Sequence, residues 1–318
     1  MKAKITKLFR RIFGSKLELI FSKDYERIYD FLDFVPCTKE IVIAYSYRGM
    51  NERSPALVLA FLDQESGEKV FSVIDIGRYG NVGNFCFSLS GEQVMFVRDG
   101  YYLKIIDKEK GEVFCENFGK AISSLCFSPS EKEIMFVEYY FGKRDGKLII
   151  LDRGTKEEIF SMTFEASDCS PSFSPSGREI MLPKGNHNLT VLDRETMEVI
   201  FSKNFEEWIG LLSFSPSGER IMLSKYQRVL TVLDSKTGKE IFSKEFKERI
   251  FSLSFSPSGK RIMLKEGSNK LRILNSDTGK EILSKNIEGV NNSIFGMSDK
   301  VIIIRKSRDV VESYKIKI

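Results

Sequence analysis

The chain contains one histidine, His187, in the short polar stretch "KGNHNL". A Ser-His-Asp relay needs its histidine held between a nucleophile and a carboxylate. A lone histidine in a turn-like stretch reads instead as a solvent-facing loop residue. One histidine also removes histidine-rich zinc, iron or copper centres. Cys37, Cys86, Cys115, Cys126 and Cys169 are odd in number and lack metal-ligand spacing. Cys86 and Cys126 stand beside Phe87 and Phe127, which reads as reduced thiols packed in strands. Carboxylates remain. Asp63, Asp107, Asp152, Asp193 and Asp234 recur at one position of a repeated pattern, and converging oxygens of this kind would suit calcium or magnesium. Each of them precedes a turn, however, where an Asp side chain is expected to cap backbone N–H groups. No glycine-rich stretch has the strand, turn and helix context of a phosphate cradle. These residues imply no catalytic group, no metal ligand set and no cofactor.

Residues suited to recognition are better represented. Tyr, Trp and Arg bury area while keeping hydrogen-bonding groups, so they dominate protein contacts. They gather in "YSYRGMNERSPAL" from Tyr45, "EYYFGKRDGK" from Glu138, "IGRYGN", "FEEWIG" and "KYQR". The candidates for partner binding are Tyr47, Arg48, Arg78, Tyr79, Tyr140, Arg144, Trp208, Tyr226 and Arg228.

What positions them is a repeat. "LSFSPSGKRIMLKEGSNKLRILNSDTGKEILSK" from Leu253 has near copies upstream, and the Phe before the turn marks seven units at Phe34, Phe87, Phe127, Phe173, Phe214, Phe255 and Phe295. Their spacings are 53, 40, 46, 41, 41 and 40 residues. Such a unit cannot bury its own apolar face and must stack on its neighbours. Within it, "IFSLSF" alternates into Ser-Pro-Ser-Gly, a turn in which Gly259 can take positive φ. "KRIMLK", "LRILN" and "TGKEILS" supply three further strands. Four-stranded antiparallel sheets of about 40 residues stacked around an axis make a β-propeller.

The ends favour a closed ring over a solenoid. "LIFSKDYERIYDFLDF" from Leu19 aligns without a gap on "EIFSKEFKERIFSLSF" from Glu240, so the chain starts with a fourth strand and finishes, at "SYKIKI", with a third. The N-terminal strand is expected to complete the last blade and remove the open edge. The expected organisation is therefore all-β: an extension over residues 1–16 and a single seven-bladed propeller over residues 17–318.

On "FSPSG" at Phe173, Phe214 and Phe255, and on "LTVLD" ending at Asp193 and Asp234, the chain resembles the WD-repeat and WD-repeat-like propellers. It departs from them systematically. Leu192, Leu233 and Leu274 stand where that family has Trp, Asn275 stands where it has Asp, and a single histidine cannot supply its Gly-His pairs. The resemblance implies a divergent propeller in which apolar packing replaces the buried His-Ser-Trp network. In propellers of this kind the first-to-second and third-to-fourth turns share one face and the other connections share the opposite face. Here the first set is nearly invariant and the second carries the insertions and the candidate residues. The function expected is a non-catalytic scaffold binding a protein or peptide on the variable face. The alternative that the resemblance leaves open is a lactonase or hydrolase with a carboxylate-bound metal in the central channel.

The net charge of +5 is local: residues 1–16 carry six basic residues and no acid, leaving 43 basic against 44 acidic groups elsewhere. No broad cationic surface is implied and a nucleic-acid partner is not expected. The position eleven residues after each marker Phe holds Arg98, Lys184, Lys225 and, in the shortened last unit, Arg305, together with Tyr45, Glu138 and Glu266. Such a row would tint one channel mouth positive and favour an acidic peptide. In "MKAKITKLFRRIFG", Ile5, Leu8, Phe9, Ile12 and Phe13 fall at helical spacing, with Arg10 and Arg11 among them. An amphipathic helix there has three possible partners: an anionic membrane surface, a groove on another protein, or its own propeller. No apolar run approaches 18 residues, so no transmembrane segment is expected. The absence of an export-type stretch points to the cytoplasm.

Overall fold

The computed structural model describes residues 17–24, 28–34, 40–47, 56–63, 65–75, 85–139, 145–165, 170–295, 298–306 and 310–316. They form seven four-stranded antiparallel sheets. Blades 1 to 6 span residues 28–75, 85–117, 121–165, 172–204, 209–245 and 250–286 in unbroken strand order. Blade 7 takes its first three strands from Val290–Phe295, Val301–Lys306 and Val310–Ile316 and its fourth from Leu17–Asp24. The register runs from Leu17 opposite Ile316 to Asp24 opposite Val310, so the expected closing strand is present. Among the described residues no helix is long and apolar enough to cross a membrane.

Blade 5 shows how the sequence dictates the plan. Its middle strands, Arg220–Lys225 and Val229–Asp234, are buried at every position except their ends, because neighbouring blades cover both faces. "RIMLSK" and "VLTVLD" are therefore continuous apolar runs rather than alternating ones. The outer strand, Glu240–Glu245, alternates between exposed and half-buried residues. The inner strand, Ile209–Phe214, breaks register between Gly210 and Ser213, and bulges recur in the first strands of blades 1, 3, 6 and 7. An extra residue bends a strand, which an alternating pattern alone does not show.

The core lies between blades. Met222, Leu230 and Val232 of blade 5 pack with Phe246 from the following connection and with Ile250, Ile262, Leu264 and Leu274 of blade 6. Leu192, Leu233 and Leu274, which stand where the resembling family has Trp, are all buried in such clusters. Full burial of a side chain of this size contributes about 1.5–3 kcal/mol.

The repeated turns are inter-blade fasteners. In "FSPSG", the first Ser accepts a hydrogen bond from the backbone N–H five residues on, at 3.1 Å in Ser174, Ser215 and Ser256. Gly177, Gly218 and Gly259 take φ of +74°, +78° and +71°, and each lies against the Pro of the preceding blade's copy: Pro129, Pro175 and Pro216. On the outer side, Lys203 and Lys244 donate to the carbonyls of Gly238 and Gly279 in the next blade at 2.9 and 2.8 Å. Longer ties include Arg194 to Glu133 at 2.6 Å, Lys108 to Glu40 at 2.5 Å and Arg220 to Asp277.

Candidate interaction face

The recurring aspartates cap turns. One carboxylate oxygen of Asp193 accepts the N–H groups of Glu195 and Thr196 at 3.0 and 2.9 Å, and Asp63, Asp107, Asp152 and Asp234 repeat this cap in their own blades. Asn275 does the same in blade 6, at 3.0 Å to Asp277 and Thr278. Backbone hydrogen bonds hold the Asp152 and Asp193 carboxyls below the usual range, and the Thr237 hydroxyl does so for Asp234. Spread over separate turns, these groups cannot share an ion. Among the described residues no three or more His, Cys, Asp or Glu converge as a metal site. His187 is exposed in the middle turn of blade 4. Cys86 and Cys126 are half-buried against apolar clusters, and burial pushes the Cys126 thiol up to about 11.

The variable face is a woven layer of backbone. In blades 2, 4, 5 and 6 the turn between the second and third strands hydrogen bonds to the connection leading into the next blade. In blade 5 the carbonyls of Gln227 and Arg228 accept the N–H groups of Ile250 and Phe246 at 2.5 and 2.9 Å. The same turn binds the preceding connection, because Tyr226 N–H donates to Trp208 at 2.9 Å. One turn therefore ties blades 4, 5 and 6 together and sets Trp208 beside Tyr226.

That turn is strained. Lys225 and Arg228 close a two-residue loop at 3.0 Å, with Tyr226 at φ +47° and Gln227 at +55°. Such hairpins need positive φ at both central residues, a requirement that Asn and Gly usually meet. The corresponding turns of blades 2, 4 and 6 include Gly100, Gly185 and Gly267 at positive φ. Leu211, in the inner strand of the same blade, is also left-handed at +48°. Non-glycine residues in this region cost of order 1–3 kcal/mol each and gather where a surface has work to do. Tyr226 is 63% exposed as a result.

Between blades 5 and 6 on this face lies a cavity of about 190 Å³, walled by Trp208, Leu211, Gln227, Arg249, Ile250 and Phe251. Phe251 is 48% exposed and lies between two cations, with the Arg249 guanidinium 5.2 Å and the Lys265 ammonium 4.9 Å from its ring centre. The indole Nε1 of Trp208 is buried and has no acceptor among the described residues. At the opposite channel mouth a cavity of about 360 Å³ is lined by Phe87, Leu89, Phe127, Pro129, Phe173 and Phe214.

Of the nine candidate residues, the structure brings Trp208, Tyr226 and Arg228 together, with Arg228 exposed one turn position from Gln227. Tyr47 ends the second strand of blade 1. Arg48, Arg78, Tyr79, Tyr140 and Arg144 lie outside the described residues, as do Ile5, Leu8, Phe9, Arg10, Arg11, Ile12 and Phe13 of the basic segment. The row containing Arg98, Lys184 and Lys225 ends the second strands, one strand outward from the channel. In that row Glu138 and Glu266 are buried. Glu138 accepts from Lys120 at 3.1 Å. Glu266 accepts from Arg272 at 2.6 Å and from the N–H groups of Lys247 and Glu248. Burial pushes the Glu266 carboxyl up, but these donors outweigh it and hold the group below its usual range.

Arg249 and Phe251 were not among the sequence candidates, although a signal existed. Four residues before the marker Phe, the other units carry Asp30, Gly83, Ser123, Cys169, Gly210 and Asn291, all small or polar. Blade 6 alone places an aromatic ring there.

No protein-family model and no curated protein matches the sequence. Among solved structures, the chain is similar to one from the crystal structure of a mitotic checkpoint complex, with a TM-score of 0.74, 14% identity, and coverage of 97% of this chain and 94% of that one. It is also similar to the Cps50 (Swd1) β-propeller domain of Myceliophteria thermophila, with a TM-score of 0.75, 11% identity, and coverage of 95% and 100%. The chain thus has the fold of a divergent WD40-like β-propeller with seven blades, the last closed by its N-terminal strand.

Proposed function

We propose that this protein is a non-catalytic interaction module that holds a protein or peptide partner on its variable face. The carrying observation is the blade 5 turn, where two consecutive non-glycine residues are kept left-handed and Tyr226 is projected beside Trp208 and Arg228. A surface fixed by backbone hydrogen bonds loses little freedom on binding, which favours affinity. Support also comes from the similar chains, one of which belongs to a mitotic checkpoint complex. In this reading Tyr47, Arg48, Arg78, Tyr79, Tyr140 and Arg144 extend the contact over blades 1 to 3. The basic segment over residues 1–16 is a separate attachment to a membrane surface, a partner groove or the propeller itself, and the cytoplasm is the proposed compartment.

The test is quantitative affinity capture from the source cell's lysate. It compares the full chain, a chain lacking residues 1–14, and an Arg78→Ala, Trp208→Ala, Arg228→Ala variant shown to melt like the parent. A specific protein retained by the truncated chain and lost by the triple variant supports the reading. Capture unchanged in the triple variant overturns it.

A further inference from the structure

We infer that the cavity between blades 5 and 6 is a pocket for one large apolar side chain of a partner peptide, with a carboxylate beside it in the peptide sequence. This deepens the proposed function and rests on the variable face being the binding surface. At about 190 Å³ the cavity falls below the roughly 300–1,000 Å³ of small-molecule sites and suits a single anchoring side chain. Trp208, Leu211, Ile250 and Phe251 supply the apolar walls.

The charge argument comes from Phe251. Arg249 and Lys265 both converge on this half-exposed ring. Arg249 is exposed and, among the described residues, makes no ion pair. Glu248, the acid next to it, makes no ion pair with it among the described residues, and its carboxyl fills the space over Gly267. Arg249 is the only charged group among the cavity walls, so an anion entering with the apolar anchor meets a cation already on the rim. The Trp208 indole can adjust to the anchor without giving up a hydrogen bond to any described residue, since its Nε1 makes none among them.

Trp208 is the only tryptophan in the chain, so its fluorescence reports this pocket directly. The full chain is titrated with end-blocked pentapeptides: Phe flanked by two Glu on each side, the same peptide with Gln for Glu, and the acidic peptide with Ala for Phe. The expected result is a saturable change with the first, weakened at least about 10-fold in the other two and at high salt. Arg249→Gln and Phe251→Ser, the latter introducing the residue type that blade 3 has at Ser123, should each cost a similar factor. Two results would overturn the inference: no saturable change up to about 1 mM, or Gln and Glu peptides binding equally. Partner capture lost in the triple variant, alongside indifference to peptide charge, would sink this inference and leave the wider reading standing. Capture unaffected by that variant would sink the wider reading itself.

Discussion

Asp193 and its equivalents fix the acid behaviour of the turns they cap. The folded-state values of Asp107, Asp152, Asp193 and Asp234 are lowered, so these ionised caps stabilise the fold fully above the unfolded value of about 3.9. That contribution is lost as pH falls through the lower folded value. A variant with Asp152, Asp193 and Asp234 all changed to Asn should still fold, because Asn275 already caps its turn through the same two N–H bonds, but should melt somewhat below the parent at neutral pH for want of the carboxylate charge. Below about pH 4 its melting temperature should fall less steeply than the parent's. Scanning calorimetry across pH 2–7 reads both outcomes. Gln227→Gly should relieve backbone strain and stabilise the fold by about 1 kcal/mol, measured by urea unfolding, while loosening the surface around Trp208. The caps were legible in the sequence because one residue type recurs before one turn. Arg249 and Phe251 are harder to read, because "RIFSLSF" looks like the start of an ordinary inner strand. Only alignment of all seven units exposes the misplaced ring.

Turns and strands were legible wherever copies align at 40 or 41 residues, and FSPSG correctly placed a glycine at positive φ. Its partner was not legible, since contact between Gly218 and Pro175 exists only once two blades are stacked. The distinction has a measurable consequence. A Cβ at Gly259 would meet Pro216 at an ordinary 3.5 Å, whereas one at Gly279 would lie 2.8 Å from the Phe242 ring of the preceding blade. Both substitutions by Ala incur the left-handed backbone cost of about 1–2 kcal/mol. Gly279→Ala should be the more destabilising by a further ~1 kcal/mol or more, as the ring is forced off its contact. Equal losses in urea unfolding would show that blades yield more easily at the outer turns than the packing implies. Leu233→Ala should cost about 2–5 kcal/mol, because this leucine is fully buried where the resembling family has Trp.

At the scale of the molecule, seven blades and the crossed ends could be read because "LIFSKD" is a fourth strand without a blade of its own. The connections over residues 48–55, 76–84, 140–144 and 166–169, in and after blades 1 and 3, fall outside the described residues, and there the sequence has no internal copy to align against. Removing residues 1–24 should lower the melting temperature and make the protein prone to associate, since it uncovers the Val310–Ile316 edge. Removing residues 1–16 should leave the Val310–Ile316 edge covered and the protein no more prone to associate. Light scattering during a thermal ramp separates the two truncations. The same closure also orders events during synthesis. The strand Leu17–Asp24 is synthesised before the six complete blades, and its partner Val310–Ile316 follows about 290 residues later. At roughly 5–20 residues per second that is a wait of about 15–60 s. Throughout it, six blades can stack in succession while the strand that will close the ring hangs unpaired, so the longest exposure during synthesis falls on the segment that finally seals the fold.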